Sequence, residues 1–255
     1  MAEVIEKTIF KDLEINELSP TSKIYLVGRY AEILFRFDQK LSDQDYFTLG
    51  KGADSFKGPN STKYITFENH FNNLRDLRNK CVHTQNLYVA TETEFESAKD
   101  DLYYLFSFLF FKYFLNIRFG KNEHVMRLFS ILPPKLRAIT LGELLNYDKN
   151  NIFLIDKAML AMVKSNDPEA ADKVLEDNSD FLKNNIDDFL GESHYNLLRE
   201  KLKSEKEYFL NCNKMYNNLP EAGTYYKKER ENFVALKDKD IDELIVLMDF
   251  IYKGF

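Results

Sequence analysis

Apolar residues recur at helical spacing along most of the chain. From Ser19-Pro20-Thr21, Ile24, Val27, Ala31 and Leu34 fall three or four residues apart, with Leu26, Tyr30, Ile33 and Phe37 beside them. That spacing predicts a deeply packed helix, opened by a proline where the first turn tolerates one. A second helix is expected over Thr66–His83. Its apolar stripe is Phe67, Phe71, Leu74 and Cys81, and its polar stripe is Glu68, Asn72, Arg75, Asn79 and His83. The stretch from Gly50 to Ser61, with three of the nine glycines, reads as a loop between them. A long helix follows over Thr93–Phe119, acidic at its start, apolar nearly all round later, and stopped at Gly120.

Beyond Gly120 the periodicity shortens. Pro133-Pro134 breaks the chain, and amphipathic segments are expected at Lys135–Asn146, Ile152–Lys164, Pro168–Leu175, Tyr195–Phe209 and Asp240–Tyr252. The change divides the sequence into residues 1–120 and 121–255. A continuous helical body fits the same pattern. The fold class is all-α.

Composition agrees with helices. The chain has 255 residues, 44% hydrophobic and 30% charged, with 22 Phe and 15 Tyr but no Trp. Few glycines and prolines disfavour a sheet built on tight turns. A net charge of −6 argues against a protein that coats nucleic acid nonspecifically, which needs a broad basic surface. A local basic groove remains compatible with it. The segment Leu102–Ile117 is apolar but short for a membrane span and contains Lys112, so it reads as a buried core helix. The first residues, Met1 to Lys7, lack the basic region and apolar stretch of a secretory signal. Cys81 and Cys212 are far apart, with no spacing for zinc or a disulfide framework. A cytoplasmic protein without membrane, metal or cofactor is the expectation.

The segment with chemical content is Leu77-Arg78-Asn79-Lys80-Cys81-Val82-His83. Arg offers a permanently charged fork that matches a phosphate, and His exchanges protons near neutrality. RNA supplies its own 2′-hydroxyl nucleophile, so a donor, an acceptor and charge stabilisation suffice to cleave it. On one regular helix Arg78 and His83 diverge by about 140°. They meet at one phosphate only if the helix frays near His83 or a second copy contributes its own pair.

This run, on a helix before a long apolar helix, resembles the signature of the HEPN superfamily. It is most similar to the Arg-Asn-x-Cys-x-His form of bacterial abortive-infection proteins, over roughly residues 19–119. The resemblance implies an up-and-down four-helix bundle that forms a homodimer, with two Arg/His motifs facing one cleft. It also implies metal-independent RNA cleavage that leaves a cyclic phosphate, in phage defence or as a toxin. Arg78, Asn79 and His83 are then the catalytic candidates. Gln85 stands where one toxin branch has a tyrosine modified by a partner enzyme. A non-catalytic module in a protein complex, or an effector released by a ligand, protein or RNA partner bound at 121–255, are the alternative readings.

Other features carry less. Lys112, Arg118, Lys121, Arg127, Lys135 and Arg137 are opposed by Glu123 alone. With Lys80, the residues Arg118, Lys121 and Arg127 are the candidate RNA-backbone contacts; a solvated face is the plainer reading. Arg118 and His124 repeat a loose Arg/His pairing across Gly120, without the asparagine. His70 is a candidate for the same cleft or a structural residue. The pair Asp100-Asp101 is explained by a helix N-terminus, and Cys81 by packing.

Overall fold

Described in the computed structural model are residues 13, 17–42, 44–83, 87–212 and 219–252, with the side chains of 210–212, 219–220 and 240 excepted. Among these residues the chain is helical, with no strand and one isolated bridge, Ile186 to Ser193. None of the described helices is long and apolar enough to cross a membrane. Two compact units divide between Leu109 and Phe110.

The first unit holds α1 (Pro20–Asp38), a 3-10 helix over Leu49–Phe56, a shorter one over Ser61–Lys63, α2 (Ile65–Val82), and the start of α3 (Glu92–Asn116). Ser19 caps α1 by accepting from Ser22 N at 3.2 Å, and Pro20 occupies the first turn. Both α1 and the 3-10 helix pack on α2. The segment expected to be a loop is therefore partly helical. It folds because Leu49 and Phe56 are buried, and Phe56 joins an aromatic cluster. In that cluster the rings of Phe35 and Phe71 lie 5.0 Å apart, and those of Phe56 and Phe108 4.7 Å apart. Gly52 allows the 3-10 helix to approach so closely: a Cβ there would meet Phe71 Cε2 at 2.8 Å and Phe35 Cδ2 at 2.9 Å.

The second unit begins in the later turns of α3, where Phe110, Phe111 and Phe114 are buried. The apolar stretch from Leu102 is thus core, as its pattern requires. Helix α3 ends at Asn116, four residues before the expected stop. Gly120 lies in the turn beyond it, at φ +92°, with the Phe153 ring where a Cβ would stand. Helix α4 (Glu123–Ser130) follows, capped by Asn122 accepting from Val125 N. Pro133-Pro134 ends that segment and opens α5 (Pro134–Leu145). Helices α6 (Ile152–Lys164) and α7 (Pro168–Asp177) are capped by Asn151 and Asp167.

The remaining elements are α8 (Ser179–Lys183), α9 (His194–Cys212), α10 (Leu219–Val234) and α11 (Lys239–Tyr252). Helix α6 packs on α5, α7 and α9, while α11 packs on α10 and α4. The α10–α11 contact is clasped by Arg230, which donates from Nε and Nη2 to the two oxygens of Asp249, each at 2.6 Å. Tyr226 donates to the same carboxylate at 2.9 Å. Helices α4, α8 and α10 have no counterpart in the periodicity reading; α4 and α8 are short, and α10 is largely polar.

Candidate functional site

Helix α2 carries the Arg78-Asn79-x3-His83 run, and its last turns sort these residues by direction. Arg78 lies four residues after Leu74 and seven after Phe71, so it continues the buried stripe rather than the polar one. Its stem runs against α1 at Gly28. A Cβ on Gly28 would come within 2.5 Å of Arg78 Cγ. The guanidinium then reaches Glu32 on α1, donating from Nη2 to Oε1 at 3.1 Å. Neither side chain is well exposed, at 20% for Arg78 and 24% for Glu32.

Glu32 Oε1 also accepts from the backbone N–H of Leu49 at 3.2 Å. One carboxylate oxygen therefore ties α1, α2 and the 3-10 helix. The acid that holds Arg78 comes from a neighbouring helix rather than from its own. Asp76 pairs with Arg75 instead, at 3.2 Å.

Arg78 is only partly satisfied. Its Nη1 donates to Asn79 Oδ1 at a long 3.4 Å, and its buried Nε has no hydrogen-bond partner. The exposed ring of Tyr25 lies on the same side, 5.9 Å from the guanidinium carbon. A guanidinium has five N–H donors, so this one retains capacity for an oxyanion.

His83 is placed differently. Helix α2 ends at Val82, and His83 is the C-cap, with ψ 113° and its N–H donating to Asn79 O at 3.1 Å. Its side chain is exposed. The termination expected near His83 is present, but Arg78 turns toward α1 while His83 stands at the open end of α2. Asn79 touches both, through its side chain to Arg78 and its carbonyl to the His83 N–H. Lys80 is exposed, and Cys81 is half-buried, where burial pushes its thiol above the usual range. Gln85 lies outside the described residues.

The chain after His83 is anchored before α3 begins. Ala90 N donates to Thr21 Oγ1 at 3.0 Å. Tyr88 donates to Glu94, which raises the phenol pKa to about 12. Leu87 and Val89 in this segment are 89% and 79% exposed. Exposed apolar surface thus follows His83 by four and six residues in the chain.

His70 does not share this site. It precedes His83 by thirteen residues, about 20 Å along the helix. Its Nδ1 lies 2.7 Å from Asp101 Oδ1, and its ring stacks on Tyr104 with centroids 3.5 Å apart. Asp101 sits in the third turn of α3, 4% exposed, so helix-terminal placement does not account for it. Burial raises its pKa, and the His70 hydrogen bond offsets part of that rise.

The basic run before and after Gly120 also divides. Arg118 is paired with Asp148, at 3.2 and 3.3 Å. Lys121 and Arg127 are exposed, whereas Arg137 turns inward and donates from Nε to Leu132 O at 2.9 Å. No group of His, Cys, Asp and Glu among the described residues is arranged to hold a metal.

No family model, curated protein or solved structure matches this chain. The chemistry of the residues themselves has to carry any functional reading. Sequence reasoning missed Glu32, Gly28 and Tyr25, all on α1. The available signal was the position of Arg78 between Leu74 and Cys81 on the apolar stripe: a buried arginine there requires an acid from a neighbouring helix.

Glu32→Ala leaves the guanidinium without its acid, and we expect a loss of about 1–3 kcal/mol in urea unfolding, below the cost of breaking a fully buried pair. The Glu32→Met/Arg78→Met double variant should lose less than Glu32→Ala; equal loss would show that the pair is not coupled. A second prediction concerns Asp101. Because burial raises its folded pKa, its stabilising contribution is full below the ordinary value of 3.8 and is lost as pH rises through the raised value. Asp101→Asn should therefore gain stability relative to wild type as pH rises past 3.8; a difference constant with pH would contradict this.

Proposed function

We propose that this protein is a metal-independent RNA endonuclease of the HEPN type, with Arg78, Asn79 and His83 as its working residues. The observation that carries the reading is the pairing, on the last turns of one helix, of an incompletely satisfied arginine with an exposed histidine. The Arg-Asn-x3-His run and the long apolar helix after it support the same assignment.

In this mechanism His83 accepts the proton of the 2′-hydroxyl as it attacks the adjacent phosphorus. Arg78 stabilises the charge that accumulates on the phosphoryl oxygens. The 5′-oxygen leaves with a proton, and a 2′,3′-cyclic phosphate remains. One histidine cannot hold and supply that proton at once, so a second copy of the chain contributes the other. The homodimer implied by the resemblance answers that need, and the exposed Leu87 and Val89 offer apolar surface for it. Asn79 fixes Arg78 and the turn at His83. In this mechanism Tyr25, 42% exposed and 5.9 Å from the guanidinium carbon, stacks on a base. Lys80 in the first unit, and Lys121 and Arg127 in the second, are exposed cations offered to the RNA backbone, while Arg118 is paired with Asp148. Phage defence or toxicity is the role that fits such an activity in the cytoplasm.

A second reading is a non-catalytic module, in which Arg78 serves only as the interhelical partner of Glu32. The Glu32 contact favours it. The two readings separate on His83, which contributes nothing to that ion pair. His83→Ala should lower cleavage of mixed RNAs in EDTA by about 10²–10⁴-fold with an unchanged thermal midpoint. Arg78→Ala should abolish cleavage at some cost in stability. Full activity in His83→Ala would remove the assignment of cleavage to this site, and no cleavage by wild type would favour the non-catalytic module.

A further inference from the structure

We propose that Glu32 competes with the RNA phosphate for Arg78, a latch that sets the affinity of the site and ties its occupancy to the 3-10 helix over Leu49–Phe56. The latch rests on the ribonuclease reading for its ligand, a phosphate of single-stranded RNA, but not on cleavage. Packing is reason enough for an acid on α1; its contact with one particular nitrogen has a consequence for binding. A guanidinium grips an oxyanion with two parallel N–H groups, and Nη2 belongs to both pairs that can do so, Nη1 with Nη2 and Nε with Nη2. In Arg78 that shared nitrogen donates to Glu32 Oε1 at 3.1 Å. Nη1 is turned to Asn79 Oδ1 at 3.4 Å, and Nε is buried without a partner. A forked grip on phosphate therefore competes with Glu32 at Nη2.

Charge acts in the same direction. The side chains of Arg78 and Glu32 are 20% and 24% exposed, so a phosphate at this guanidinium meets the carboxylate's negative charge with little water between them to screen it. The arginine stem is confined, because it lies against α1 at Gly28, where a Cβ would stand 2.5 Å from Arg78 Cγ. A turn of the Glu32 side chain toward solvent frees Nη2 without moving either helix.

Release of Glu32 has a second effect. The same Oε1 accepts from Leu49 N at 3.2 Å. Leu49 is the first residue of the 3-10 helix, and Thr48 before it makes no side-chain cap bond. Glu32 thus caps that helix from α1. Leu49 is 2% exposed, so its N–H does not readily exchange this acceptor for water. A Glu32 that turns away leaves both N–H groups, and occupancy of Arg78 loosens the start of the 3-10 helix.

The test is binding of a single-stranded RNA that is 2′-O-methylated throughout, and so carries no nucleophile, read by fluorescence anisotropy in EDTA at fixed salt. Glu32→Gln keeps an oxygen that accepts from both N–H groups and removes the charge. It should bind about fivefold tighter than wild type. Asp76→Asn, which removes an exposed negative charge two residues before Arg78, should gain less, and Glu32→Gln/Arg78→Met should bind no tighter than wild type. In wild type the strand should speed hydrogen exchange at the Leu49 amide. If Glu32→Gln does not fold, that exchange decides. No binding by wild type, no gain in Glu32→Gln, an equal gain in Asp76→Asn, a gain that survives loss of Arg78, or unchanged exchange at Leu49 overturns the latch. Binding and exchange as expected, with no cleavage of a ribose strand, would keep the latch and remove the nuclease.

Discussion

The first unit is organised around one ion pair, Arg78 on α2 with Glu32 on α1. Bringing a guanidinium into the contact between two helices requires space, and the glycine at position 28 supplies it. Removing charge from water requires a partner, and the acid one turn further along α1 supplies that. The same carboxylate oxygen accepts from Leu49 N and fixes the start of the 3-10 helix. Phe35, Phe56 and Phe71 then close the core beside it. Three elements depend on the position of one carboxylate. That dependence also sets the arginine in a defined place, with part of its hydrogen-bonding capacity unused.

Such an arrangement is ambiguous between structure and catalysis in a way that separates by residue. Glu32 and Gly28 are explained by packing alone. Arg78 is explained by packing except for its unsatisfied Nε. His83 is not explained by packing at all, since it stands exposed where α2 ends. The case for chemistry therefore weighs most on His83, and the case for a scaffold weighs most on Arg78.

Much of the fold was legible because apolar periodicity reports burial directly. The helices at Pro20–Asp38, Ile65–Val82, Glu92–Asn116 and Ile152–Lys164 follow from it, and caps such as Ser19 and Asn151 mark their starts. The 3-10 helix was read as loop because its glycines signal flexibility, whereas Gly52 is there to admit two phenyl rings. Helix α10 was not legible because its buried positions are few and spaced among charges. At the site, local spacing identified Arg78 and His83 but could not name Glu32, which lies 46 residues away from Arg78. Asp101 was misread for the same reason. Its meaning depends on His70, a contact between helices that no local pattern contains.

The most direct measurement is cleavage, in EDTA, of one RNA and of its fully 2′-O-methylated counterpart by the purified protein, with the product ends determined. The account predicts that the ribose form alone is cut, leaving 2′,3′-cyclic phosphate and 5′-hydroxyl ends, because the nucleophile belongs to the substrate. Cleavage of the methylated strand, products ending in 3′-hydroxyl groups, or no cleavage of either strand would contradict it.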